Sequence, residues 1–206
     1  LNHLHVHRAS RVALCALACA SGLFVASCYQ IPTRHGVTVD VTSTGKLEKK
    51  NPLEIVMEPV ENTSGNANAP LDELRLAFQR GLVKRRYSPL SLERVDEHLL
   101  DGAYQTGALQ EDADVHVKID RWDTSLWETH TALLVKAEMR ITDPRDPSAG
   151  DLWSGRIDHR YEFGSYREKF SSDQALMQFA CDRIADEILS VLPPRTAAPG
   201  TSSSGH

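Results

Sequence analysis

Residues 52–192 predict an α+β domain: a single sheet ending in a three-stranded antiparallel meander, with about three helices packed on it. Two observations carry this. Segments 113–120, 131–143 and 152–163 alternate apolar and polar residues, the mark of half-buried strands. Segments 70–85 and 171–192 instead place apolar residues three and four apart, as a helix does. Strands and helices in one compact stretch, with the strands consecutive, give an α+β layer architecture.

The domain is expected to start at Pro52. Ile55, Val56 and Val60 make a short apolar strand, and Asn62-Thr63-Ser64-Gly65-Asn66 ends it with turn chemistry. Leu71, Leu74, Phe78 and Leu82 then form a helical stripe. Pro70 and Asp72 suit its first turn, and Lys84, Arg85 and Arg86 suit its negative end. Residues 87–92 read as a short strand, and Leu92, Val95 and Leu99 as a second short helix.

In the first long strand Val115, Val117 and Ile119 share a face, with His116, Lys118 and Asp120 opposite. In the second, Leu133, Val135, Ala137, Met139 and Ile141 point inward. Asp143–Asp151 is a loop rich in Pro, Gly and Asp, after which Trp153, Ile157, His159, Tyr161 and Phe163 share one face of a third strand. The last helix runs over 171–192, with Ser171 and Gln174 as a capping box and Met177, Cys181, Ile184, Ile188 and Val191 as its buried stripe. Pro193 and Pro194 stop it, and residues 193–206 read as a disordered tail.

The N-terminus has a different character. Residues 1–11 contain Arg8 and Arg11 and no acid, and residues 12–26 are almost wholly apolar. A basic start, an apolar run of about 15 residues and small residues at the cut define a secretory leader. The run is short for a membrane span, which needs about 20 residues. Residues 1–27 are therefore expected to be a signal peptide. Val25-Ala26-Ser27-Cys28 resembles a bacterial lipobox. That resemblance implies cleavage before Cys28, a thioether-linked diacylglycerol on its sulfur and an acylated amine. Each buried methylene contributes about 0.8 kcal/mol, so two or three chains hold a protein on a membrane essentially permanently. Tyr29 follows the cysteine where an Asp would mark inner-membrane retention, so the expected site is the outer membrane, facing the periplasm.

Residues 28–51 are expected to be the lipidated cysteine and a tether with a reach of about 25 Å, although the alternating Val37, Val39 and Val41 would allow a short strand within it. Of the four cysteines, Cys15 and Cys19 leave with the leader and Cys28 is consumed by lipid, so Cys181 has no partner. On a helical apolar stripe it reads as a small buried hydrophobe.

The chain has a net charge of −5, and losing Arg8 and Arg11 makes the remainder more acidic. With no basic stripe, nucleic acid is excluded as the expected partner. His3, His5 and His7 have a metal-binding spacing but sit in the leader, and His98, His116, His130 and His159 are scattered, so no metal site is predicted. Asp143, Asp146 and Asp151 do not match a calcium loop. No nucleophile elbow, zincin motif or phosphate loop occurs, and no catalytic residue is assigned. The only attached group expected is the lipid on Cys28. Trp122, Trp127 and Leu134 are read as a protein-contact surface, since Trp122 falls on the outer face of a regular strand. Packing beneath a helix or loop is the alternative, because a bulge would re-aim Trp122.

"IVMEPVENTSG" followed by a helix resembles the opening of the TolB N-terminal-type domain. "ADVHVKIDRWDTSLWETHTALLVKAEMRITDPRDPSAGDLWSGRIDH" resembles the matching part of small lipoproteins of that type, with its Leu-Trp-x-Gly strand. Relatives by fold include the curli-secretion lipoprotein CsgG, the penicillin-binding-protein activator LpoB and the exopolysaccharide lipoprotein PelC. The resemblance implies a lipid-anchored periplasmic module, an accessory or scaffold of an envelope assembly or secretion machine, with other envelope proteins as partners and homo-oligomers among its forms. No segment reads as a barrel stave, so a pore is not expected. A periplasmic lipoprotein binding cell-wall glycan or another ligand is the alternative, and a hydrolase with an unrecognised site is a third.

Overall fold

A computed structural model describes residues 27–100 and 107–197. In chain order it contains β1 (Ser27–Pro32), β2 (Thr38–Ser43), α1 (Lys46–Lys50), β3 (Glu54–Met57), β4 (Glu61–Asn62), α2 (Leu71–Lys84), β5 (Ser88–Pro89) and α3 (Leu92–Leu100). Then follow β6 (Ala113–Asp123), α4 (Trp127–His130), β7 (Ala132–Thr142), β8 (Trp153–Glu162) and α5 (Asp173–Ser190). The architecture is mixed α+β around one open eight-stranded sheet, ordered β1-β2-β8-β7-β6-β3-β5, with β4 also pairing β6.

Strands β6, β7 and β8 pair antiparallel. They sit in the middle of the sheet rather than at its end: β2 and then β1 extend it beyond β8, and β3 and β5 extend it in parallel beyond β6. β3 is apolar on both faces because both are covered, as parallel strands require. Ile55 and Met57 join the main core, while Val56 packs with Val95 of α3 and with Leu109.

The helices differ from the expected three on one face. The described residues hold five α-helices, of which α1 and α4 are single turns too short to be read from periodicity, and two short 3₁₀ helices. α2 and α5 pack on each other beneath the sheet. The α5 stripe buries Leu176, Ala180, Cys181, Ile184 and Ile188, the larger side chains contributing about 1.5–3 kcal/mol each. Its N-cap is Ser172, whose hydroxyl accepts from the Ala175 N–H at 3.1 Å, one residue later than Ser171. Among the described residues, no helix is long and apolar enough to cross a membrane.

The segment read as a tether belongs to the fold. Residues 28–51 form β1, β2 and α1, and Val37, Val39, Val41 and Leu47 are all buried in the core. Alternation of three valines was sufficient to build a strand because β8 offers its edge to β2. The start of the expected tail is likewise held. The Tyr87 hydroxyl donates to the Pro193 carbonyl at 2.9 Å, the Arg195 N–H donates to the Arg85 carbonyl at 3.0 Å, and Thr196 exchanges two hydrogen bonds with the Asn51 side chain. Residues 198–206 lie outside the described residues.

One buried cation was not foreseen. Arg75 on α2 is 6% exposed; its Nε and Nη2 donate to the Met57 carbonyl at 3.2 and 2.8 Å, and its Nη1 donates to Asp96 Oδ1 of α3 at 2.6 Å. These bonds compensate the burial of charge and tie α2, β3 and α3 together.

Candidate functional site

Cys28, the expected lipidation site, is the second residue of β1 and is exposed. It pairs with Thr42 of β2, and its Sγ lies 3.4 Å from the Thr42 hydroxyl. Tyr29, Gln30, Asp40, Ser154 and Arg156 surround it in a shallow groove at the sheet edge. Apart from Ser27, the leader expected over residues 1–27 lies outside the described residues.

The expected contact surface is corrected. Trp122 is 2% and Trp127 6% exposed, so both belong to the core. A register shift between Ile119 and Arg121 turns Trp122 onto the side of Val135, its cross-strand partner. Trp127 packs against Phe163 at 6.0 Å between ring centroids. Leu134 is half-buried on the outer face, next to Asp123 and Arg160 in register. Cys181 is fully buried, and burial pushes its thiol up to about 12, which disfavours the thiolate.

Two polar constellations emerge from pairings distant in sequence. The first is a cleft of about 220 Å³ between the β1–β2 turn, the end of β8 and α5, lined by His35, His159, Tyr161, Tyr166, Phe179 and Arg183. His159 meets Tyr161 edge-on at 4.9 Å. The Tyr161 hydroxyl is buried with no hydrogen-bond partner among the described residues, and burial raises its pKa. Beside the cleft, Glu187 of α5 is 1% exposed. Its Oε1 lies 2.9 Å from His35 Nδ1 and 2.7 Å from Arg183 Nε. The arginine contact is an ion pair at poor hydrogen-bond angle, since Nε finds no acceptor in line.

The second lies on the outer face, where β3 meets β6. His116 Nδ1 stands 2.6 Å from Glu58 Oε2, and Nε2 stands 3.0 Å from the Thr142 hydroxyl. The hydrogen bond with Glu58 raises the His116 pKa against the opposing effect of burial, with the Glu58 and Asp114 charges adding to the rise and Arg140 reducing it. Asp114, fully buried, completes the group. Asp114 and His116, two residues apart on β6, leave the same face of the strand. Sequence had no means of bringing in Glu58, because the β3–β6 pairing is set by the tertiary fold. Two further histidines are held locally: His98 Nδ1 lies 2.9 Å from its own helix's Arg94 carbonyl, and His130 Nδ1 lies 2.8 Å from the neighbouring Thr129 hydroxyl.

No protein-family model matches the chain, and no curated protein matches it. Solved structures with a similar course include the lipoprotein GNA1162 of Neisseria meningitidis, at 19% identity and a TM-score of 0.45, covering 65% of this chain and 96% of that one. The PelC dodecamer of Paraburkholderia phytofirmans aligns at 12% identity and a TM-score of 0.45, covering 78% and 97%. A hypothetical protein of Chlamydia trachomatis aligns at 14% identity and a TM-score of 0.40, covering 67% and 98%. These are loose likenesses of architecture.

Proposed function

We propose that this chain is a lipid-anchored accessory or scaffold lipoprotein of a cell-envelope assembly or secretion machine, held on the outer membrane by acyl chains on Cys28 and facing the periplasm. The observation behind this reading is Val25-Ala26-Ser27-Cys28 directly after an apolar run. Its cysteine is exposed at the start of the first strand, accessible to a modifying enzyme. Because Cys28 is already paired within the sheet, the acyl chains would hold the β1 edge against the lipid head groups with no slack between them. In this reading the partners are other envelope proteins, and copies of the chain itself, and no reaction is catalysed.

The test is metabolic labelling with a palmitate analogue, followed by in-cell crosslinking from the membrane fraction, with Cys28→Ser alongside wild type. Label on wild type only, with defined envelope proteins recovered by wild type and lost by the variant, supports the reading. An unlabelled wild type ends the lipoprotein reading, and a labelled protein without protein partners ends the scaffold reading.

A second reading is a periplasmic lipoprotein that binds cell-wall glycan or another small ligand. The cleft favours it: aromatic rings, two histidines and an unsatisfied Tyr161 hydroxyl converge there. Retention on isolated peptidoglycan that falls with Tyr161→Phe would support this reading over the first.

A further inference from the structure

We infer that Glu58, Asp114 and His116 form a binding site for a divalent transition-metal cation of the Zn²⁺ type. Each residue offers one ligand atom, and the three atoms all lie within 4.8 Å of one another. Two carboxylate oxygens and one imidazole nitrogen are a donor set that suits zinc and its first-row neighbours, and three protein ligands leave a position for water.

The scaffold holds these donors on strand backbone. Asp114 and His116 are two residues apart on β6, so their side chains leave the same face. Glu58 follows β3 directly, and its N–H donates to the Val115 carbonyl at 3.1 Å, fixing its backbone between the other two. Donors about 2.0–2.2 Å from a zinc ion lie roughly 3.3 Å apart, so side-chain torsions alone can close the set.

The imidazole is also oriented as a ligand. The Thr142 hydroxyl, across the ladder on β7, lies 3.0 Å from Nε2 and can accept its proton. With the Nε2 proton held by Thr142, loss of the Nδ1 proton frees a lone pair for a cation without turning the ring. Without metal, a proton between Nδ1 and Glu58 Oε2, 2.6 Å apart, bridges the imidazole and carboxylate. The cation takes the place of that proton between the imidazole and the Glu58 carboxylate. This inference is independent of the lipid anchor.

The experiment uses the full chain in detergent, stripped with EDTA. Zn²⁺ is titrated by calorimetry and Co²⁺ by visible absorption, for wild type, Glu58→Gln, His116→Ala and Thr142→Val. Far-UV circular dichroism confirms that each variant is folded; Glu58→Gln keeps the side chain's size at a position about one-quarter exposed. The expected result is one equivalent bound by wild type and lost in Glu58→Gln and His116→Ala. Thr142→Val should keep the stoichiometry with about 10–100-fold weaker affinity. Stripped wild type should also melt at a higher temperature once Zn²⁺ is restored. No saturable uptake by wild type overturns the site. So does uptake unchanged in Glu58→Gln and His116→Ala, which would place the metal elsewhere.

Discussion

The indole of Trp153 lies over the Cα of Gly155, two residues further along the same strand. A Cβ added at Gly155 would stand 3.0 Å from Trp153 Cζ2 and 3.2 Å from Cζ3, and nearer still to Cη2. Trp153 is fully buried and has no room to retreat. The Trp-x-Gly spacing is therefore a packing requirement of β8: the glycine leaves the space the ring occupies. Gly155→Ala is expected to lower unfolding free energy by about 1–3 kcal/mol in urea denaturation. Trp153→Leu in the same chain should make Gly155→Ala nearly neutral, and a double-mutant cycle without coupling would refute the contact.

Trp122 and Trp127 give the converse test. Both rings are buried, one by the bulge in β6 and one against Phe163. Each alanine replacement should cost about 3–5 kcal/mol of stability, as large core truncations do. A loss below about 1 kcal/mol in denaturant titration would mean that the ring is dispensable to the core, as surface positions are.

How much of this was legible beforehand depends on whether local pattern or distant pairing governed each element. The three central strands and the long helices α2 and α5 were readable because their apolar periods persist over several turns or pleats. Trp122 misled because one extra residue in a strand inverts every later side chain, and nothing local marks the bulge between Ile119 and Arg121. The segment 28–51 misled because its polar composition hid four buried side chains that only the β8 edge and the core could recruit. Glu58, Asp114 and His116, like His35 and Glu187, meet through folds of the chain 58 and 152 residues long, distances over which spacing carries no information.

The 2.9 Å contact between His35 Nδ1 and Glu187 Oε1 fastens the β1–β2 turn onto α5. Glu187 is buried, while His35 and Arg183 both reach water and can rehydrate when it is removed. Glu187→Ala is thus expected to cost only about 1 kcal/mol globally, the scale of an ordinary hydrogen bond. Its larger effect should be local: amide hydrogen exchange across residues 36–40 should accelerate, with the β7 amides unchanged. Glu187→Gln keeps an acceptor for His35 and should accelerate exchange less. Equal exchange in wild type and Glu187→Ala would show that the turn is held by its apolar contacts alone.

Asp143 supplies a pH-dependent contact at the end of β7. Burial pushes its carboxyl up, but the Lys50 ammonium and the Arg145 backbone N–H, which donates to Oδ1 at 2.9 Å, together with the Arg145 charge, outweigh that and hold it below the usual carboxylate range. A carboxyl depressed in the folded state binds its proton more readily when unfolded. Its contribution is therefore complete above the unfolded value of about 3.9 and is lost as pH falls through the lower folded value. The contact joins α1 to the β7–β8 loop, where Lys46 Nζ also donates to the Ala149 carbonyl at 2.6 Å. Asp143→Asn should lower the melting temperature at pH 7 and leave it nearly unchanged in strong acid, where wild type has already lost the pair. A constant difference between the two proteins from pH 7 down to strong acid would mean that the charge of Asp143 plays no part in holding α1 to the loop.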